Sequence, residues 1–182
     1  MSENLREVAA RYASEARKAS RQLSLVDAAT RNRAIEAIAV SLVARADEIV
    51  AENAKDLAEG SRSGLSGAML DRLKLDAGRI EGMAKGLRDI AAQTDPVGQI
   101  LSSRVREDGL SIQKVVVPLG VVFFIYESRP NVATDAAGLC LRSGNAILLR
   151  GGKEAIHSNR ILGRIISDAI ATAGLPANAV QL

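Results

Sequence analysis

The sequence predicts an α/β protein in which N-terminal helices are followed by a β-hairpin arm and then by part of a doubly wound parallel sheet. Apolar residues recur at helical spacing through residues 5–90, short β-branched segments come next, and strand and helix patterns alternate in the last third of the chain. We therefore predict a helical segment over residues 1–95, an arm over 96–117 and a partial nucleotide-binding α/β unit over 118–182.

The helical segment is predicted to contain three amphipathic helices and a shorter one. Ser24 and Asp27 have the spacing of a capping box that opens the second helix, and Gly60 is expected to end it, since glycine readily adopts the left-handed conformation. A short helix is predicted within residues 61–76, and the last helix ends before the break at 95–96. The apolar faces of the second and last helices are Ile35, Ile38, Leu42, Ile49, Val50 and Leu57, and Ile80, Met83, Ala84, Leu87 and Ile90.

The arm and the sheet are predicted from a change in the hydrophobic periodicity of the sequence. Short β-branched segments at residues 101–105 and 110–117 flank a turn signal at 107–109, which predicts a β-hairpin. The continuous apolar run GVVFFIY, residues 120–126, is typical of a strand buried on both faces of a parallel sheet. Helices are predicted after it and after a second strand, NAILLR, and the last residues, NAVQL, begin a third strand.

Composition narrows the classes of protein that the chain can represent. Aromatic residues make up 2% of the chain and the net charge is +3 without a dense basic tract, so a helical nucleic-acid binder is disfavoured. The single cysteine excludes an internal disulfide, the N-terminus lacks the apolar region of a signal peptide, and no apolar run reaches the ~20 residues that span a bilayer. We therefore expect a cytoplasmic protein that binds neither nucleic acid nor a membrane.

The polar segment after the first strand of the sheet is the first candidate site. Ligands of open α/β sheets bind beyond the carboxyl ends of the strands, and the segment from Tyr126 to Asn131 leads into a helix whose free N–H groups favour an anion. The alternative is a surface loop in which Asn131 serves only as a helix N-cap.

The segment after the second strand, Arg150, Gly151, Gly152 and Lys153, is the second candidate site. Two glycines allow close approach of a ligand, and cations at this position in a nucleotide-binding sheet accommodate a 2′-phosphate, which indicates NADP rather than NAD. The alternative is a glycine-rich turn with solvated charges, since neither GxGxxG nor GxxxxGK[ST] occurs.

Other residues with reactive or metal-binding side chains have structural interpretations. Cys140 lies between two leucines of a predicted helix without a basic neighbour, so a buried structural role is expected. His157 is the only histidine and is expected on a helix surface, and no metal site is predicted. Acidic pairs in the N-terminal helices are expected on solvated faces.

Two blocks of sequence resemble a known family. PLGVVFFIYESRPNVATDAAGLCLRSGNAILLRGGKEA, and upstream GLSGAMLDRLKLDAGRIEGMAKGLRDIAAQTDPVGQI, are similar to the N-terminal portion of γ-glutamyl phosphate reductase, also called glutamate-5-semialdehyde dehydrogenase. The resemblance implies an aldehyde dehydrogenase-like fold with a Rossmann-like sheet. It also implies NADPH-dependent reduction of L-glutamate 5-phosphate to the 5-semialdehyde with release of phosphate, in proline biosynthesis.

The resemblance also implies roles for individual residues. Asn131 corresponds to an oxyanion-stabilising asparagine, Arg150 and Lys153 to residues that bind the adenosine ribose, and Arg129 is a candidate for an anionic substrate group. The family's nucleophilic cysteine lies beyond position 182, so we expect the chain alone to be inactive and the full-length protein to be a homo-oligomer. The open alternative is a non-catalytic nucleotide-binding or scaffold remnant of that enzyme. A reading frame that continues into a cysteine-containing domain would favour the enzyme over this remnant.

Overall fold

The computed structural model describes residues 4–182 and contains seven α-helices and five strands within them. The helices are α1 (Leu5–Leu23), α2 (Ala28–Ala44), α3 (Ala46–Arg62), α4 (Gly67–Leu73), α5 (Ala77–Ala92), α6 (Asn131–Arg142) and α7 (Ile156–Thr172). The strands are β1 (Ile100–Val105), β2 (Ser111–Val115), β3 (Val121–Ile125), β4 (Ala146–Arg150) and β5 (Val180–Gln181), and short 3₁₀ turns precede α7 and β5.

The predicted second helix is two helices. The chain breaks at Arg45, which ends α2 and precedes α3 with φ −112° and ψ 25°. The capping-box prediction is also wrong, because Ser24 ends α1 and Asp27 alone caps α2. The Oδ1 atom of Asp27 accepts a hydrogen bond from the Thr30 N–H at 2.6 Å, which satisfies one of the free donors at the start of the helix.

Gly60 does not end α3, contrary to the prediction. It is buried inside the helix, where a Cβ atom would lie 2.8 Å from Leu65 Cδ1. The left-handed residue is Gly64, with φ +79°, and the N–H of Leu65 donates to the carbonyl of Gly60 at 3.0 Å. Gly60 is therefore needed for close packing, and the next glycine supplies the turn.

The two strands β1 and β2 form the predicted antiparallel hairpin. Val105 pairs with Ser111, and Gly109 has φ +85° in the turn between them. Side chains of both strands are mostly exposed. The hairpin therefore projects from the body, as an arm does.

The remaining strands form a parallel sheet in the order β3-β4-β5. β4 lies in the centre and is largely buried, as predicted, with α1 and α6 packed against it. The prediction that the first strand of the sheet is buried on both faces is wrong. β3 is an edge strand, and the side chains of Phe123 and Ile125 are 62% and 65% exposed. Side chains project from the faces of a sheet, and α1 is the one helix packed closely on β3 within residues 4–182, so much of its apolar sequence meets solvent.

One hydrophobic core joins the helices to the sheet. The five residues predicted for the apolar face of α5 are all buried, and α5 packs closely on α6, where a Cβ atom on Gly138 would lie 2.7 Å from Leu87 Cδ2. Within residues 4–182, no helix combines the length and the apolar character needed to cross a bilayer.

Candidate functional site

The two predicted turns lie side by side at the carboxyl edge of the sheet. Ile125 pairs with Arg150 at the end of the parallel β3–β4 ladder, and the Tyr126 N–H donates to the Arg150 carbonyl at 3.1 Å. A parallel register brings the ends of neighbouring strands to one edge, so the two segments form one continuous surface.

The glycines after β4 make room for the turn after β3. A Cβ atom on Gly151 would lie 2.2 Å from Asn159 Nδ2, and Tyr126 Oη donates to Asn159 Oδ1 at 3.0 Å. A Cβ atom on Gly152 would lie 2.1 Å from Ser128 Oγ. Both distances are shorter than real Cβ contacts, so a side chain at either position would force Asn159 or Ser128 to move, and contacts within the protein itself favour glycine here.

The charged groups of the second turn face solvent. Ser128 Oγ donates to Glu154 Oε2 at 2.7 Å, and this hydrogen bond, with smaller contributions from Lys153 and Arg150, lowers the pKa of Glu154. Arg150 Nη1 donates to the carbonyl of Gly151 at 3.1 Å. The turn thus presents two exposed cations beside a carboxylate that its neighbours keep ionised.

Asn131 begins α6 and does not cap it, so the predicted alternative of an N-cap role is wrong. Pro130 occupies the N-cap position without a side-chain hydrogen bond. The Nδ2 atom of Asn131 donates to Asp135 Oδ2 at 3.3 Å, a long contact, and the amide borders the cleft described next. Burial raises the pKa of Asp135, and the hydrogen bond from Asn131 opposes that effect.

A cleft of about 380 Å³, here the α5 cleft, lies between the α4–α5 connection and the turn after β3. A neighbouring cleft of about 400 Å³, here the turn cleft, includes Ser128, Gly152 and Glu154. Arg72 and Arg129 line both clefts, so they lie on the boundary between them. The charged residues of the α5 cleft are Asp71, Arg72, Lys74, Arg79, Arg129 and Asp135.

A buried polar network supports both clefts from behind. Asn53 Oδ1 accepts from the Leu75 N–H at 2.7 Å, and its Nδ2 donates to the Leu73 carbonyl at 2.8 Å and to Ser158 Oγ at 2.9 Å. The carboxylate of Asp56 accepts from the N–H groups of His157 and Ser158, at 3.0 and 2.8 Å, and from Ser158 Oγ at 2.6 Å. Because α7 has no side-chain cap of its own, Asp56 supplies one from α3.

The expectation that acidic residues of the N-terminal helices lie on solvated faces is wrong for Asp56, which is 2% exposed. The sequence carries a signal for this burial. Asn53, Asp56 and Gly60 follow Ile49 at spacings of four, three and four, so they share the buried stripe of α3. Polar residues on such a stripe indicate a tertiary hydrogen-bond network.

His157 lies at a partly exposed helix position, as predicted, whereas Cys140 is partly buried and not fully buried. Cys140 packs against the core from α6, and burial raises the pKa of its thiol to about 11, so the thiolate is scarce at neutral pH. The ring of His157 is partly exposed, with Nδ1 3.6 Å from Glu52 Oε2. Across residues 4–182, no group of three or more His, Cys, Asp or Glu residues could hold a metal ion.

Comparison with solved structures defines the class of fold. A probable aldehyde dehydrogenase from Listeria monocytogenes aligns with 96% of the chain and 36% of its own, with a TM-score of 0.70 at 16% identity. The arrangement of helices, arm and parallel sheet is therefore the aldehyde dehydrogenase-like α/β fold, as predicted. No family model matches the chain.

Closer relatives are more specific. The crystal structure of gamma-glutamyl phosphate reductase from Thermotoga maritima covers 94% of the chain with a TM-score of 0.92 at 38% identity, and 41% of that protein is aligned. Curated gamma-glutamyl phosphate reductases from Halothermothrix orenii and Novosphingobium aromaticivorans are 53% and 50% identical over 93% and 92% of the chain. The chain is thus homologous to these enzymes over nearly its whole length, as the sequence resemblance predicted. It spans about two fifths of their length, 41% and 39%.

Proposed function

We propose that the chain is the N-terminal, cofactor-binding portion of an NADPH-dependent reductase that converts L-glutamate 5-phosphate to L-glutamate 5-semialdehyde and phosphate. The observation that carries this proposal is the continuous surface formed by the two turns after β3 and β4, bordered by an arginine-rich cleft. Similarity to gamma-glutamyl phosphate reductases supports the substrate class. We also propose a cytoplasmic location and a homo-oligomeric full-length protein.

The turn after β4 is proposed to hold the adenosine end of the cofactor. Arg150 and Lys153 present exposed cationic donors, which fit a ribose 2′-phosphate, while Gly151 and Gly152 keep the turn close to the first strand. The cofactor supplies hydride when it is bound. The chemistry of these donors fits NADPH better than NADH, because an NADH site favours an acidic partner for the 2′-hydroxyl and Glu154 is engaged by Ser128.

Asn131 and Arg129 are proposed to act on the substrate. The Asn131 amide donates only weakly to Asp135, so it is available to donate to an oxygen that gains negative charge. Arg129 is a candidate partner for an anionic group. The attacking cysteine is proposed to lie outside this chain, since Cys140 sits in the core-facing part of α6 with a protonated thiol.

The test of cofactor binding is a titration of the purified chain with NADPH and with NADH, followed by nucleotide fluorescence. We expect tighter binding of NADPH, and a loss of about tenfold for NADPH alone in Arg150→Ala or Lys153→Ala, the scale of one charge-assisted contact. Lys114→Ala, which removes an exposed cation on the hairpin, is the matched control. Equal affinity for both nucleotides, unchanged by these variants, would refute the assignment.

Turnover is tested separately by incubating the chain with L-glutamate 5-phosphate and NADPH. We expect no NADPH-dependent release of phosphate, because the single cysteine, Cys140, packs against the core and its thiol stays protonated at neutral pH. Turnover by the purified chain would refute the proposal that the attacking cysteine lies outside it. Nucleotide binding without turnover also fits a non-catalytic remnant, and a reading frame that continues into a cysteine-containing domain separates the enzyme from it.

A further inference from the structure

The α5 cleft contains charged side chains of both signs, and three of the six take part in ion pairs. Arg79 Nη2 pairs with Asp71 Oδ1 at 2.6 Å, and Lys74 Nζ lies 3.4 Å from Asp76 Oδ2. These ion pairs hold the rim of the cleft on the α4–α5 side. They leave Arg79 and Lys74 less available to a ligand.

Two cations of the α5 cleft have no such commitment. The guanidinium groups of Arg72 and Arg129 form no hydrogen bond or ion pair with any residue in the described range 4–182, although they lie on the wall that separates the two clefts. A guanidinium offers donors in a planar fork that matches a carboxylate. The wall between the clefts therefore favours an anion.

The lining of the α5 cleft also includes the carboxylate of Asp135. Asp135 is partly buried on α6 and its only side-chain hydrogen bond in residues 4–182 is the long one from Asn131 Nδ2, at 3.3 Å. Burial without a cation raises its pKa, so a ligand cation would relieve an unfavourable position. The cleft volume, about 380 Å³, lies in the range of small-molecule sites.

We propose that the α5 cleft binds the α-amino-acid end of the substrate, with Arg72 and Arg129 holding the α-carboxylate and Asp135 holding the α-ammonium group. This inference rests on the proposed function for the class of substrate. It assigns the zwitterionic head of an amino-acid derivative to the α5 cleft, which Asn131 also lines. A site built from both charges selects amino acids over simple dicarboxylates, because an unpaired buried carboxylate disfavours a ligand without a cation.

The test measures binding of L-glutamate, glutarate and inorganic phosphate to the chain by calorimetry or NMR titration. Glutarate lacks the ammonium group, and phosphate lacks both the ammonium group and the carbon chain. We expect L-glutamate to bind at least about tenfold more tightly than the other two probes, the factor that one additional charge-assisted contact provides.

Variants then separate the two halves of the site. Arg129→Gln should weaken L-glutamate about tenfold or more, and the isosteric Asp135→Asn should weaken L-glutamate while leaving glutarate equal or tighter. Arg88→Gln, on α5 but paired with Glu36 outside the cleft, is the matched control and should change neither affinity. Circular dichroism and thermal unfolding verify that each variant is folded.

Each result bears on the proposal in one direction. Equal binding of all three probes would overturn it in favour of a general anion site. An Asp135→Asn variant that retains full preference for L-glutamate would overturn it by showing that Asp135 does not hold the ammonium group. Failure of NADPH binding with preserved selectivity for L-glutamate would instead count against the proposed cofactor role alone, and the amino-acid site would stand.

Discussion

The carboxylate of Asp56 offers the sharpest test of how this fold is held together. It is buried in α3 and accepts hydrogen bonds from two backbone N–H groups at the start of α7 and from the hydroxyl of Ser158. We predict that Asp56→Ala lowers the free energy of unfolding by about 3–5 kcal/mol, because it removes a helix cap and leaves buried donors without acceptors. Asp56→Asn keeps one acceptor oxygen and should lose less.

The magnitude follows from the contacts and is well below their sum. A charge-assisted hydrogen bond contributes about 1.5–3 kcal/mol and a helix cap about 1 kcal/mol, but bonds to one carboxylate are not additive. A loss of about 3–5 kcal/mol is a large part of the roughly 5–15 kcal/mol that stabilises an ordinary domain. For a chain of 182 residues it corresponds to a fall in Tm of about 10 °C.

The assay is urea and thermal unfolding followed by circular dichroism, with hydrogen exchange at the amides of His157 and Ser158 as a local readout. Glu59→Ala is the matched control, since Glu59 is an exposed acidic residue on the same helix, and its effect should stay within about 0.5 kcal/mol. If Asp56→Ala shifted the midpoint no more than the control, the carboxylate would not be the cap of α7. Unchanged protection of the two amides would lead to the same conclusion.

Three further predictions concern packing, titration and the exposed strand. Gly152→Ala should destabilise the chain by about 1–3 kcal/mol in urea unfolding, because its Cβ atom would lie 2.1 Å from Ser128 Oγ. The control, Gly78→Ala on α5, should stabilise the chain by about 0.5–1 kcal/mol. Equal effects of the two substitutions would contradict the close contact. Burial raises the pKa of Cys140 from 9.0 to about 11, so the folded thiol should be alkylated slowly at pH 8. The free energy of unfolding should fall as pH rises from about 9 to 11, because the thiol of the unfolded chain ionises first. Rapid alkylation of the folded chain would disprove this. Phe123→Lys should reduce self-association measured by light scattering, because it places a charge on an exposed apolar edge strand, and unchanged aggregation would show that another surface is responsible.

The order of elements and the relation between the two turns could be predicted from the sequence because both depend on local patterns. Alternation of apolar strands and amphipathic helices specifies a parallel doubly wound sheet, and parallel strands necessarily bring their carboxyl ends to one edge. The pairing of Ile125 with Arg150 follows from that rule. The hairpin turn at Gly109 is equally local, since only its own residues determine it.

The features that the sequence did not predict depend on contacts between distant residues. The break at Arg45 interrupts a continuous helical pattern, and no proline or glycine marks it. Glycine is typical of helix ends, but Gly60 lies within α3 and packs closely against Leu65. The exposure of β3 depends on which strands lie beside it, and a run of apolar residues is the same sequence in a central strand and in an edge strand.

The α5 cleft was harder to predict than the turns because its charged walls come from separate parts of the chain. Arg72 lies in the short helix α4, which has no recognisable ligand motif, while Arg129 and Asp135 belong to the turn after β3 and to α6. Only Arg129 was a candidate from the sequence. Arg72 and Asp135 lie in the same cleft as Arg129 only because the fold brings α4 and α6 together around it.

The same buried network connects both parts of the candidate site. Asn53 holds the backbone of Leu73 and Leu75, which flank Lys74 and follow Arg72, and Ser158 joins Asn53 to Asp56 at the start of α7. That start of α7 comes directly after the turn that carries the proposed cofactor cations. One set of hydrogen bonds from α3 therefore joins the α4–α5 connection, next to Arg72, to the start of α7, next to the turn after β4. Burying polar side chains on α3 carries a desolvation cost, which their hydrogen bonds offset. The connection that these bonds make between the two segments explains why Asn53 and Asp56 occupy positions where the helical pattern predicts apolar residues.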